Sequence, residues 1–325
     1  MAVAFGNNPR HGVLRGDRRE RATGRSRLLY RHPRRELTRR PAPRGWSGFR
    51  QQLGQLGYVE GLNFALIARF AHGKAEQLTP LAEELVRLKL DIIATAGGFQ
   101  ATQAARQATA TIPIVMTTSA DPVGLGLATS LARPGGNVTG MTTITSELSG
   151  KRFRLLRELI PKLSRLAVLW HKNPASALAI PDFEAVARAA RVTLQTLGVQ
   201  HPEELAGVFA SMTRERAEAL IVAVSAQFFP ERKRLADLAI QHRLPTMHAQ
   251  AEYVEAGGLV SYAPKYSELF RQAAVYVDKI LKGAKPGELP IEQPNKLELV
   301  INMKTARTLG VTIPQAILLR AAPGD

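Results

Sequence analysis

From about residue 47 to the C-terminus the apolar residues switch repeatedly between a period of 3.6 and short apolar runs. That alternation restricts the chain to an α/β fold built on parallel sheets. Phe49, Leu53 and Leu56 fall at i, i+4 and i+7 behind Ser47, which can cap a helix, and Gly57 is placed to end it. A strand is predicted over 63–70, a helix over 76–88, a buried-type strand over 90–95 and, after Gly97-Gly98, a helix over 99–110. A strand at 112–117, a short helix after Asp121-Pro122, a strand at 137–142 and a helix over 147–160 that stops at Pro161 complete a first βα series. The second series has strands at 166–170, 193–199, 219–224, 245–248 and 259–262, with helices between them and a helix over 268–281. Asn173-Pro174 supplies a cap and a first-turn proline there, and Pro181 should kink or restart the helix that follows. A last strand at 297–302 and a helix at 303–309 are read as crossing back towards the first lobe. Each series is a doubly wound parallel sheet, and two such lobes joined by crossings leave a ligand cleft between them.

A doubly wound first lobe needs a central strand, apolar throughout and buried on both faces, ahead of its first helix. Leu28-Leu29-Tyr30 is the only candidate found, and with Arg27 and Arg31 beside it this run is too short and too charged. The central first strand is therefore expected to be missing. Residues 1–46 hold 13 Arg, no Lys and three acids, whereas the other 279 residues hold 31 basic and 24 acidic side chains. Most of the formal +17 thus sits in a proline-containing segment without apolar period, which reads as disordered. It has no apolar stretch for a secretory signal and cannot build a helix-turn-helix. An unstructured tail and a frameshifted or mis-set start both account for it, and no nucleic-acid partner is expected. The predicted division is 1–46 disordered and Arg-rich, 47–160 first lobe, 161–282 second lobe, and 283–325 a crossing segment with a C-terminal helix returning towards the first lobe.

With no cysteine in the chain, thiolate catalysis, disulfides and Cys-ligated zinc are excluded. No apolar run approaches the roughly 20 residues of a membrane span, so no stable membrane insertion is expected. The chain has no G-x-S-x-G elbow, H-E-x-x-H pair or phosphate-binding loop, and its histidines show no i, i+4 pairing for a metal. No catalytic residue, metal or cofactor is assigned.

In such sheets ligands sit beyond the carboxyl ends of strands, near free helix N-termini. The loop after 90–95 brings Thr95, Gly97, Gly98 and Phe99, a hydroxyl and exposed backbone suited to a carboxylate. The loop after 112–117 brings Thr118, Ser119 and Asp121; Asp121 is either a counter-ion for an ammonium group or a helix cap. From the second lobe come Trp170 and Asn173 after one strand and Ser225 after another. Trp170 serves either as a stacking face or as hinge packing. Tyr253 and Tyr262 complete the candidate ligand-binding set, each with an apolar face and a hydroxyl.

Residues 49–63 (FRQQLGQLGYVEGLN), 120–140 (ADPVGLGLATSLARPGGNVTG), 253–262 (YVEAGGLVSY) and 283–314 (GAKPGELPIEQPNKLELVINMKTARTLGVTIP) resemble the ABC-transporter substrate-binding proteins of the tryptophan/tyrosine type. The resemblance covers the chain from about residue 47 onward. It implies a type I periplasmic-binding fold, a small-molecule ligand such as an amino acid or an aromatic amino-acid-like compound, and a periplasmic location. It also implies delivery to an ABC permease with its ATPase. A ligand-responsive transcription regulator and a small-molecule α/β enzyme are the alternatives the fold class leaves open.

Overall fold

The computed structural model describes residues 2–6, 44–143 and 145–321. The chain runs β1 (Ala2–Gly6), α1 (Arg44–Gln55), β2 (Ala65–Arg69), α2 (Leu78–Arg87), β3 (Ile92–Thr95), α3 (Phe99–Ala108), β4 (Ile114–Met116) and β5 (Val138–Gly140). It continues through α4 (Thr145–Leu159), β6 (Arg165–His171), α5 (Pro174–Ala177), α6 (Ile180–Ala189), β7 (Thr193–Val199), α7 (Leu205–Arg214), β8 (Ala219–Val222) and α8 (Arg232–Gln241). The last elements are β9 (Thr246–His248), α9 (Ala251–Glu255), β10 (Val260–Pro264), α10 (Tyr266–Leu281), β11 (Leu297–Ile301), α11 (Met303–Leu309) and α12 (Gln315–Leu318). Two sheets result, ordered β2-β1-β3-β4-β5 and β11-β10-β9-β8-β6-β7.

Both sheets carry helices on both faces, because their strands are apolar on both sides. Along β3, Ile92 and Ala94 enter the cluster shared with Trp46, Phe49 and Phe270, while Ile93 enters the opposite cluster with Leu85, Phe99 and Ile114. Along β6, Leu166 and Val168 face Phe153 and Phe183, while Ala167 and Leu169 face Phe209 and Leu235. The period of two in a strand produces this split, and the parallel pairing of β3 with β4 and of β6 with β7 and β8 follows the predicted βα alternation.

Four expectations are corrected. First, the central slot of the first sheet is filled by β1, antiparallel to both β2 and β3, so residues 2–6 are ordered and the central strand is present; Leu28-Leu29-Tyr30 lies outside the described residues. Second, α1 begins before Ser47, which sits within it, because Trp46 is 2% exposed and belongs to the core that helix covers. Third, no helix follows Asp121-Pro122; residues 122–126 form turns, with Gly126 at φ +70°. Fourth, the lobe boundaries shift. Helix α10 packs Leu269, Phe270, Ala273, Tyr276 and Val277 into the first-lobe core, whereas β11 pairs antiparallel with β10 and Ala306, Ile313 and Ile317 join the second-lobe core. An amphipathic helix fits either lobe equally well by its pattern; here α1 supplies the apolar face that covers α10.

The chain consequently passes between lobes after β5, after β10 and before β11. Two of these passages are tied together: Thr142 N–H donates to Glu292 O at 2.9 Å, Glu292 N–H donates to Gly140 O at 3.0 Å, and the Tyr276 hydroxyl donates to Pro290 O at 2.5 Å.

At the second-lobe strand ends, His248 is 1% exposed, stacks on Tyr253 at 4.9 Å and shares a 2.9 Å hydrogen bond with Thr246 Oγ1. Burial pushes its imidazolium down to about 3. The unfolded chain therefore binds a proton below about pH 6.5 that the folded chain refuses until about pH 3. Stability should fall by up to about 1.4 kcal/mol per pH unit as pH drops through that window. Urea midpoints at pH 7 and pH 5 should differ accordingly, and a His248→Asn variant should show a shallower slope over the same interval.

Candidate functional site

The loops at the carboxyl ends of strands in both sheets, with parts of α1, α4, α6 and α10, enclose a cavity of about 900 Å³ between the lobes. The first lobe contributes the segment after β2 with Phe70, His72 and Lys74, residues 96–101 after β3, and residues 118–120 after β4. Opposite them stand Asn173 and Ser176 after β6, residues 223–227 after β8, and Gln250 and Glu252 after β9. Aromatic side chains line both halves: Trp46, Phe70 and Phe270 on the first-lobe side, Phe183 and Phe229 on the second, and Tyr266 at the start of α10. Trp46 is held edge-on against Phe270, with ring centroids 5.1 Å apart.

Of the candidates read from the sequence, Gly97, Gly98, Phe99, Thr118, Ser119, Asn173 and Ser225 line this cavity. Gly97 and Gly98 have φ of +110° and +79°, a backbone course that favours glycine and that delivers α3 to the cavity by its N-terminus. Asn173 spends its polar atoms locally: Oδ1 accepts from Ser176 N–H at 2.9 Å and caps α5. The Ser225 hydroxyl donates to Gln227 Oε1 at 2.7 Å.

The other candidates do not line it. The Thr95 hydroxyl is fully buried against that of Thr102, 2.8 Å away. Asp121 is exposed and its Oδ1 accepts from Gly124 N–H at 2.9 Å, which closes the turn that stands where a helix was expected. Trp170 lies over Gly198 of β7, so close that a β-carbon there would stand 2.9 Å from its ring. Tyr253 is buried between His248 and Phe229. Tyr262 packs against the second-lobe core, and its carbonyl accepts from Arg152 Nε at 2.9 Å.

Arg152 was missed. Between Lys151 and Arg154 it reads as one more surface charge, yet it stands on the stripe Leu148, Arg152, Leu155, Leu159, whose leucines are all buried. It lines the cavity at 4% exposure, and burial pushes its pKa down to about 10. Beside it, the Tyr266 hydroxyl is raised to about 12 by burial, against the pull of Arg152. Gln100 and Gln227, which stand in the predicted site loops but outside the candidate ligand set, meet across the cleft: Gln227 Nε2 donates to Gln100 Oε1. A β-carbon on Gly73 would lie 3.5 Å from Pro230 of the opposite lobe.

Among the described residues no group of His, Cys, Asp or Glu could hold a metal ion. No described helix is long and apolar enough to cross a membrane.

Two α/β lobes with a cavity made from strand-end loops define a two-lobed binding protein of the periplasmic-binding-protein class. Solved structures with this fold include the ABC domain from Streptococcus pneumonia in complex with L-Trp, 27% identical, TM-score 0.76, covering 86% of this chain and 94% of that one. A conserved domain protein from Vibrio cholerae is also 27% identical, with a TM-score of 0.79 over 86% of this chain and 93% of that one. The Tyrosine-binding protein of Clostridioides difficile (strain R20291) is 26% identical over 263 residues, which is 81% of this chain and 75% of that protein. Residues 42–323 match the family model described as ABC transporter substrate binding protein, and the chain belongs to that family. The family binds solutes and is not a family of enzymes.

Proposed function

We propose that this chain captures an aromatic amino acid, or a close analogue of one, by closing its two lobes, and hands it to an ABC permease with its ATPase in the periplasm. The observation that carries this reading is that aromatic side chains of both lobes reach one cavity, the half-buried Phe70 from the first and Phe229 from the second, with Trp46, Phe270 and Phe183 at its margins in the lobe cores. A ring held between such faces gains from apolar burial and from edge-to-face contact, about 0.5–1.5 kcal/mol per aromatic pair beyond area. The volume of about 900 Å³ lies within the roughly 300–1,000 Å³ of sites that enclose a whole small molecule. The ligands of the Streptococcus and Clostridioides relatives, L-Trp and tyrosine by name, agree with it. The bond between Gln227 and Gln100 joins the lips of the cleft and favours the closed arrangement.

Thermal shift tests the proposal. L-tryptophan, L-tyrosine or L-phenylalanine at a hundredfold above Kd should stabilise the chain by about 2.7 kcal/mol, while L-leucine and glucose should leave the midpoint in place. A chain that none of the aromatic amino acids stabilises contradicts the ligand assignment.

A further inference from the structure

We infer that Arg152 receives the carboxylate of the bound molecule, with Tyr266 beside it, so that the cavity selects aromatic acids over the corresponding amines and amides. This rests on the aromatic-ligand reading above and assigns the polar end of the same site. Arg152 is 4% exposed on a wall of the cavity, and among the described residues no carboxylate lies within ion-pair reach of it. A buried guanidinium without a counter-charge is costly, and among the described residues the one hydrogen bond of this side chain is from Nε to Tyr262 O at 2.9 Å. The rest of its planar fork of N–H donors is matched in shape to a carboxylate.

The other cationic side chains of the cavity are differently placed. His72 and Lys74 are exposed, and Arg232 is spent on Phe229, with its guanidinium 4.6 Å over the ring and Nη1 donating to the Phe229 carbonyl at 2.8 Å. Tyr266 and Gln250 line the same cavity as Arg152, and the Arg152 charge pulls on the Tyr266 hydroxyl. Arg152 on α4 thus meets the polar end of the ligand from the cavity wall.

Calorimetric titration of the full chain with L-tryptophan, indole-3-propionate, L-tryptophanamide and tryptamine tests the assignment. The two acids should bind at least about 30-fold more tightly than the amide and the amine. An Arg152→Met variant should erase that preference, and Arg152→Lys should keep part of it. A second readout needs no ligand. Removing an uncompensated buried charge should leave the melting temperature of Arg152→Met unchanged or raised, whereas a drop of several degrees makes Arg152 a structural group and overturns the assignment. Equal binding of acid and amide by the wild-type chain overturns it as well. If none of the indoles binds but L-leucine does, and Arg152→Met abolishes that binding, the aromatic reading fails and the carboxylate assignment stands; if no carboxylate binds at all, both fail.

Discussion

A chain lacking residues 1–6 should lose the cooperative unfolding of its first lobe while the second lobe keeps its own. Strand β1 pairs with five residues of β2 and four of β3, and it fills the middle of the sheet rather than its edge. Without it, β2 and β3 both become open edges with unpaired N–H and C=O groups. At roughly 1 kcal/mol net per ladder hydrogen bond, the loss is on the order of 5 kcal/mol, comparable to the whole stability of an ordinary domain. The second lobe has separate cores on the two faces of its own sheet and draws nothing from β1. Differential scanning calorimetry should therefore show one transition disappear and another remain. A truncated chain that melts as the full chain does would remove β1 from the list of structural strands.

Replacing Gly140 by alanine should destabilise the first lobe by about 3–5 kcal/mol, among the largest effects of a single substitution. Gly140 ends β5 with φ at +122°, and an added β-carbon would lie 2.3 Å from Met116 O and 2.7 Å from Met116 N. Both are backbone atoms of the paired strand, in the same register position, so no rotamer change relieves the clash. The contact also displaces the bond from Met141 N–H to Met116 O, 2.8 Å, at the first passage between lobes. Ligand affinity should fall with stability, because Thr118 and Ser119 follow Met116 into the cavity wall. A Gly54→Ala change on α1, where nothing lies within 4 Å, should be neutral or mildly stabilising and serves as the control. Chemical denaturation of the two variants side by side settles the comparison.

The parts of this molecule legible in the sequence are those governed by local periodicity. Ile92 to Thr95 read as a strand buried on both faces because every residue is apolar or small, and all four are buried. The glycines at 97 and 98 read as a site because they follow such a strand and precede a helix. What escaped depends on contacts distant in sequence. Ala-Val-Ala-Phe-Gly at 2–6 is a short run ended by the turn residues Asn7-Asn8-Pro9, but it finds its neighbours some sixty and ninety residues away. Asp121, Trp170 and Tyr253 have side chains suited to a ligand, but each is already satisfied by a neighbour: Gly124, Gly198 and His248. Arg152 escaped for the opposite reason. Its residue type suggested solvent, although its place on a leucine stripe pointed inward.

The direct test of the central claim, that an aromatic solute is held by closure of the lobes over it, is a distance measured across the cleft. The chain contains no cysteine, so Glu83→Cys on α2 and Glu203→Cys ahead of α7, both exposed and on opposite lobes, accept spin labels cleanly. Pulsed electron-electron resonance should show a broad distance distribution that narrows and shifts on saturation with L-tryptophan. An unchanged distribution at a concentration where calorimetry shows full occupancy would contradict capture by closure.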